Sequence, residues 1–445
     1  MRPLTILCLS LIALPLFGNI LIEPFIPQAH SLLESKEFMA MFFILAMAAA
    51  GAPGEKTLQN PFLLALLVFL PISMANAPAI KMMYYTENMG GLWMWRSLAW
   101  CAGYFLLYRS ISGIPFYMQR HKRILIDCLT WPAIVSAGYA FLQALNLDQF
   151  QITRPIEEIG AQAVPGITAV IGHPTYLAIY LTICLPFCVL YRKWYWTAAV
   201  FAAILLCQSQ TAIAGAIVMA GFLACLRAKR VKWLWVYICV GLVSFFLLWA
   251  FWDDLRPKLT AAANGRFPVW QQAFEDWKSP AIKMETTPEM SPAQKKEIER
   301  LNKQTYVLTG RGPGSFVFLF TPKWQTKFDS AHNVYLQALY EIGIIGLALL
   351  LGAVAWVFVK TFPAAREDPF TAAAYASLFF ICLAGVLHPI AQTEPLRYVA
   401  CVIFALLSAR CQRIHETVHD KGGLDLFNRH CHTLPLKNLV SPLDG

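Results

Sequence analysis

Residues 332–359, HNVYLQALYEIGIIGLALLLGAVAWVFV, open on a histidine and an asparagine and then run apolar. The run exceeds the roughly 20 residues a helix needs to cross about 30 Å of hydrocarbon. Only Glu341 carries a charge in it. The stretch reads as a transmembrane helix starting at a polar boundary. Further apolar segments fall near 4–22, 37–52, 60–79, 92–109, 124–145, 171–190, 194–209, 210–226, 232–252, 370–388 and 395–410. The expected fold is therefore all-α: a polytopic membrane protein with about twelve transmembrane helices and a large, partly helical loop.

Composition agrees. The chain is 58% apolar and 14% charged, against about 25% charged residues in a soluble domain. A net charge of +10 could suggest nucleic acid, but the Lys and Arg residues sit in short clusters between apolar runs. Such clusters orient helices in a membrane, so no nucleic-acid partner is expected. None of the twelve cysteines lies between Asp253 and Ala331. Most, including Cys101, Cys184, Cys239 and Cys382, fall inside apolar segments, where a thiol behaves as a small apolar group. Neither a disulfide framework nor a zinc site is expected. Met1-Arg2-Pro3 followed by Leu4 to Ile22 looks like a signal peptide, but it is long and lacks a small-x-small cleavage site. It reads as a retained first helix.

Basic clusters set the orientation: Arg109 with Arg120, Lys122 and Arg123; Arg192 with Lys193; Arg227, Lys229, Arg230 and Lys232; Lys360 with Arg366. With twelve spans these share one face. By the positive-inside rule that face is cytoplasmic, with both termini. The units are then 1–252, an N-terminal bundle of about nine helices; 253–331, an outer loop; 332–410, C-terminal membrane helices; and 411–445, a tail. The 146–170 loop, the Ser209 turn, the 253–331 loop and the 389–394 turn all face outward and can converge on one site.

A loop as long as Asp253–Ala331 is uncommon unless functional. Asn264 can cap a helix running through Trp270 and Phe274 to Trp277, with Pro268 in its first turn. Pro292 to Gln304 reads as a charged helix, and Thr309 to Ser315 as a glycine-rich turn.

His332 and Asn333 stand where a span meets the outer surface. A neutral imidazole there can take a proton from a hydroxyl; the plainer reading is a histidine that caps or anchors the helix. Tyr335, Leu339 and Gly343 follow at helical spacing, and Gly343 with Gly346 permits close helix packing. Glu341 lies roughly 13 Å along the axis from His332, too deep to touch it, and is expected to be paired within the bundle. His388, Gln392, Glu394 and Arg397 cluster at an outer turn and can line a groove. Glu157 and Glu158 are adjacent loop carboxylates, read as solvated. His415, His419, His430 and His432 belong to the tail and are given no metal role.

The histidine stretch resembles the signature of the O-antigen ligase family, HN-x-x-L-x-x-x-x-E-x-G-x-x-G with small variations in spacing, through His332, Asn333, Leu336, Glu341, Gly343 and Gly346. Gly310-Arg311-Gly312-Pro313-Gly314-Ser315-Phe316 is similar to that family's G-x-G-x-G-S-F turn, and Gly265-Arg266 with Trp270 to its arginine-x-x-x-tryptophan helix. Ile171-Gly172-His173-Pro174-Thr175-Tyr176-Leu177-Ala178 is similar to the segment opening a central span. The resemblance is dense from about 165 to 350. It implies transfer of a glycan from undecaprenyl pyrophosphate to a periplasmic-side acceptor, at a bacterial inner membrane, by a metal-independent inverting reaction without cofactor. On that reading His332 is the base, and Arg266 holds the departing pyrophosphate by a two-pronged guanidinium contact. Asn333, Trp270, Tyr335, Glu341 and His388 support them.

The chain departs from the family at Ser209-Gln210-Thr211, where a Ser-Arg pair is usual. Gln210 can still donate hydrogen bonds, and Arg154, Arg311 and Arg397 are the cations available to take the missing arginine's place. Arg311 lies in a turn whose N–H groups can cradle a phosphate or simply close the turn. The acceptor is left open: lipid A-core, as in O-antigen ligation, a growing glycan, or a pilin-like protein. A reading of another class, a transporter or lipid flippase, suits twelve spans equally well, but it predicts related halves, and none is visible.

Overall fold

The computed structural model describes residues 3–17, 35–50, 60–75, 90–112, 114, 119–147, 167, 169–171, 173–227, 266–279, 291–293, 295–296, 299, 306–316, 330–388 and 394–420. Among them there are twelve α-helices and no strand. They are α1 (Pro3–Phe17), α2 (Ser35–Ala50), α3 (Pro61–Ala75), α4 (Gly90–Ser112), α5 (Gln119–Ala144), α6 (Pro174–Tyr191), α7 (Trp194–Leu206), α8 (Gln210–Arg227), α9 (Arg266–Lys278), α10 (Val334–Glu367), α11 (Pro369–Ala384) and α12 (Glu394–Asp420).

Eleven of the twelve apolar segments coincide with helices; the segment 232–252 lies outside the described residues. By length and composition α5, α6 and α10 can cross a membrane, while α1, α2, α3, α7, α8 and α11 are apolar over shorter lengths. The turn expected at Gln208 to Thr211 separates α7 from α8, with Gln208 at φ +53°. The helix expected through Trp270 is α9, with Pro268 in its first turn. Its proposed cap Asn264 lies outside the described residues, as does most of 292–304. Helix α12 continues to Asp420, ten residues past the expected end of the last span. Residues 411–420 are too polar for hydrocarbon, yet nothing in them breaks a helix.

Helix α11 sits at the centre and packs against α6, α8, α10 and α12. Its face of Ala372, Ala373, Ala374 and Ala376 is buried, and small side chains let helix backbones approach closely when lipid supplies no hydrophobic drive. Phe380 fills the space that a side chain at Gly215 of α8 would occupy, 2.1 Å from an added Cβ.

Gly343 interrupts α10 at φ +67°, ψ −172°. The 306–316 turn fills the break. The N–H groups of Arg311 and Gly312 donate to the carbonyls of Tyr340 and Glu341 at 3.1 and 2.8 Å, and those of Ile344 and Ile345 donate to Val307 and Leu308 at 3.0 and 3.1 Å. Both raw ends of the interrupted helix are thus satisfied by protein, a condition for irregular backbone at membrane depth. The turn and the interrupted helix touch through glycine. A Cβ on Gly310 would lie 2.2 Å from the Glu341 carbonyl oxygen, and one on Gly343 would lie 2.3 Å from that of Leu308. Gly343 therefore serves a helix break and not the helix–helix contact expected from its spacing. The Glu341 carboxylate accepts from Gly314 N–H at 2.8 Å and from Gln337 Nε2 at 3.0 Å, which is the internal pairing expected of it.

Candidate functional site

One end of the bundle gathers the turns that flank α5 to α8, α10 and α11. Gln143 Oε1 accepts the Ala169 N–H at 2.8 Å, Val334 N–H donates to the Gly385 carbonyl at 2.8 Å, and Tyr335 Oη donates to the Cys382 carbonyl at 2.7 Å. Asn333 caps α10, its Oδ1 accepting from the N–H groups of Tyr335 and Leu336 at 3.0 Å each.

Helix α9 lies across this end. Val269, Ala273 and Trp277 bury against Phe316, Ala331 and Tyr340. Trp270 Nε1 donates to the Ala331 carbonyl at 2.6 Å, joining the arginine helix to the residue before His332. Arg266 Nη1 donates to the Leu387 carbonyl at 2.8 Å, joining it to the residue before His388. His332 holds the left-handed φ of +49°, uncommon for a residue with a Cβ and often associated with function. Its N–H donates to Ser330 Oγ at 3.2 Å. Backbone restraints on both sides thus fix where the imidazole stands.

Two more histidines complete the cluster. His388 is 5% exposed, with Nε2 2.9 Å from Thr211 Oγ1. His173 caps α6, its Nδ1 accepting the Thr175 N–H at 3.2 Å, and its ring lies 4.8 Å from that of Tyr176. Burial, then the Arg266 charge, then His173 lower the His332 imidazole to about 4. Burial and Arg266, followed by His332 and His173, lower His388 to about 3. Burial and Arg266 also lower His173. Burial lowers the Arg266 guanidinium while Tyr176 opposes it, and a guanidinium stays charged at any working pH. The arrangement is one permanent cation among three neutral imidazoles: it can hold an anion and accept a proton beside it.

Of the remaining cations, Arg311 is 2% exposed. Its Nη1 lies 2.9 Å from Asp276 Oδ2 and 3.0 Å from Tyr340 Oη, its Nη2 donates to the Asp276 carbonyl, and Tyr340 Oη donates to Asp276 Oδ2 at 2.8 Å. This guanidinium is engaged with α9 and is not offered to a ligand. The N–H groups of Arg311, Gly312 and Gly314 are likewise taken by α10, so the glycine turn closes a helix break instead of cradling a phosphate. Arg397 lies against the rings of Trp100 and Tyr104, at 5.4 and 5.6 Å. Gln210 is exposed at the start of α8, next to Thr211. Arg154, Gln392, Glu157 and Glu158 fall outside the described residues, and so does the side chain of Glu394.

The sequence reading gave no site role to His173, Tyr176 or Thr211, although they lie in the stretches 171–178 and 209–211 that it singled out. His173 carried a usable signal, since it directly precedes a proline-started span on the same face as His332. Thr211 carried none.

Two predictions arise here. Asp276→Ala leaves Arg311 buried without its counter-ion, a defect that costs about 3–5 kcal/mol. Thermal unfolding should show a large loss, and an unchanged midpoint would remove the ion pair as the anchor of α9. For pH, all three imidazoles lie below the ordinary histidine value of 6.5. The unfolded chain then binds more protons than the folded one between pH 6.5 and about 3, the value to which His388 is lowered, so stability should fall as pH falls through that window. Replacing all three by Gln should flatten the decline; an equally steep one would place its cause elsewhere.

No protein-family model matches the chain, and no curated protein does.

Proposed function

We propose that the chain is a multi-pass inner-membrane glycan transferase of the O-antigen ligase type. In this reading all twelve apolar segments span, both termini are cytoplasmic, and the Arg266–His332 cluster faces the periplasm. The donor is a glycan on undecaprenyl pyrophosphate, and lipid A-core is the favoured acceptor, ahead of a growing glycan or a protein.

The observation that carries the proposal is the meeting of Arg266 and His332. They are 66 positions apart in sequence (332 minus 266), yet Trp270 of the Arg266 helix donates to the carbonyl of Ala331, the residue before His332, at 2.6 Å. In the proposed step the acceptor oxygen attacks the anomeric carbon from the face opposite the diphosphate. The carbon–oxygen bond to the diphosphate breaks as the new one forms, and the electron pair leaves on the phosphate oxygen. His332 takes the acceptor proton, and Arg266 balances the charge that develops on the leaving group. Inversion at the anomeric carbon follows from attack opposite the leaving group.

The test is to incubate purified protein with a lipid-linked glycan and, separately, with lipid A-core, free glycan and pilin-like acceptors, then to identify which acceptor gains mass. Modification of none of them would sink the proposal. A transporter draws support from one feature, the interrupted helix α10, since transporters place such breaks at their binding sites. Here, however, protein backbone fills the break. Movement of labelled substrate across a vesicle wall without a new glycosidic bond would favour that reading.

A further inference from the structure

The turn that follows α11, residues 385–388, is tied to three other helices. The Gly385 carbonyl accepts the Val334 N–H at 2.8 Å, which fixes the start of α10 two residues after His332. The Leu387 carbonyl accepts Arg266 Nη1 at 2.8 Å. His388 Nε2 lies 2.9 Å from Thr211 Oγ1, in the first turn of α8, a helix that packs on α11. The proposed base and the proposed guanidinium are therefore both referred to one turn, through carbonyls two residues apart. Inside the turn, the N–H groups of Leu387 and His388 both donate to the Ala384 carbonyl, at 3.0 and 2.9 Å. No repeating helix ladder stiffens residues 385–388, since α11 ends at Ala384. The buried His388 side chain and its Thr211 partner brace the turn instead. Burial and the Arg266 charge keep that imidazole neutral, so protonation does not break the brace at a working pH.

We infer that Thr211 is a positioning residue for Arg266. Through His388 it holds the 385–388 turn where the Leu387 carbonyl orients the guanidinium, and so sets the angle at which the fork meets a diphosphate. The inference rests on the transferase reading given above and adds to it the residue that aims its cation. Aim matters because a charge-stabilising group must be held within about 0.5 Å and 10–20° of its productive geometry. A misplacement of about 1 Å can cost roughly 100-fold in rate.

The test uses the full chain purified in detergent. Thr211→Val keeps the shape of the side chain and removes its hydroxyl. It should lower kcat for glycan transfer about 10- to 100-fold and leave KM for the lipid-linked donor nearly unchanged. Thr211→Ser keeps the hydroxyl and should recover most of that loss. In an Arg266→Lys background no planar fork remains to be aimed, so Thr211→Val should cost less than about twofold more. Equal loss in the valine and serine variants would assign the effect to packing and overturn the inference. Full additivity with Arg266→Lys would overturn it as well, since Thr211 would then act independently of that residue. Binding of inorganic pyrophosphate, followed by calorimetry, reads the same geometry without turnover. Thr211→Val should weaken it about tenfold, and Thr211→Ser should restore most of the affinity. If pyrophosphate binds with that dependence but no acceptor is modified, the transferase reading falls and the positioning role stands. Wild-type affinity in the valine variant would remove the positioning role even where transfer is observed, and absence of binding to the wild-type chain would do the same.

Discussion

His332→Ala should lower glycan transfer about 100- to 10,000-fold, the range that a positioned general base contributes, while the protein still inserts and binds donor. The restraints on this residue act through backbone: Ser330 Oγ holds its N–H, and Trp270 holds the carbonyl before it. Alanine leaves those contacts in place, so lost activity would report chemistry more than folding. The pH profile adds a second reading. With the imidazole held near 4, the acid limb of kcat/KM, which reports the free enzyme, should fall near that value. A bound diphosphate brings negative charge beside the ring and favours its protonated form, so the limb of kcat should lie higher. Full activity in the alanine variant would remove His332 as the base, and coincident limbs would separate it from the diphosphate.

How much of this was legible in sequence depends on the range over which each signal acts. Apolar runs are local, and they placed eleven described helices. The turn between α7 and α8 was visible because Gln208 to Thr211 interrupts an otherwise continuous run. Glu341 could be expected to need a partner because a carboxylate inside an apolar helix is costly, although nothing local named Gly314. The break at Gly343 was hidden. Glycine at that spacing signals close packing between helices as readily as a positive φ, and only the approach of the 306–316 turn decides between them. Arg311 illustrates the same limit. In sequence it is a free cation in a glycine turn. In the structure Asp276, 35 positions earlier (311 minus 276), captures it.

That capture changes the account of the site. The family resemblance leaves a gap where Gln210 replaces an arginine, and Arg311 was one of three residues available to fill it. With Arg311 bound to Asp276 and Arg397 seated against Trp100 and Tyr104, Arg266 is the cation among the described residues that reaches the histidine cluster. Neutral donors stand around it in place of a second guanidinium: the imidazoles of His173 and His388, and the hydroxyl of Thr211. Each can donate a hydrogen bond to a phosphate oxygen after rotation or a change of tautomer. A lone guanidinium supported by neutral donors makes the site more dependent on that one residue than a paired-arginine site would be.

Arg266→Lys should accordingly lower turnover about 100- to 1,000-fold, comparable to removing a principal donor from a site that stabilises developing charge. The substitution keeps the charge, so electrostatic attraction of the donor survives, and the effect should fall on kcat more than on KM. What it loses is geometry. One arm of the Arg266 guanidinium already donates to the Leu387 carbonyl at 2.8 Å, fixing the plane of the fork so that its other N–H groups remain for a phosphate. An ammonium cannot hold that carbonyl and also present a planar pair of donors. Added guanidinium should restore part of the activity of Arg266→Ala, because a free planar cation can occupy the vacated space. Near-normal turnover in the lysine variant would show that point charge alone suffices at this position. The two-pronged contact with the departing diphosphate would then have to be abandoned.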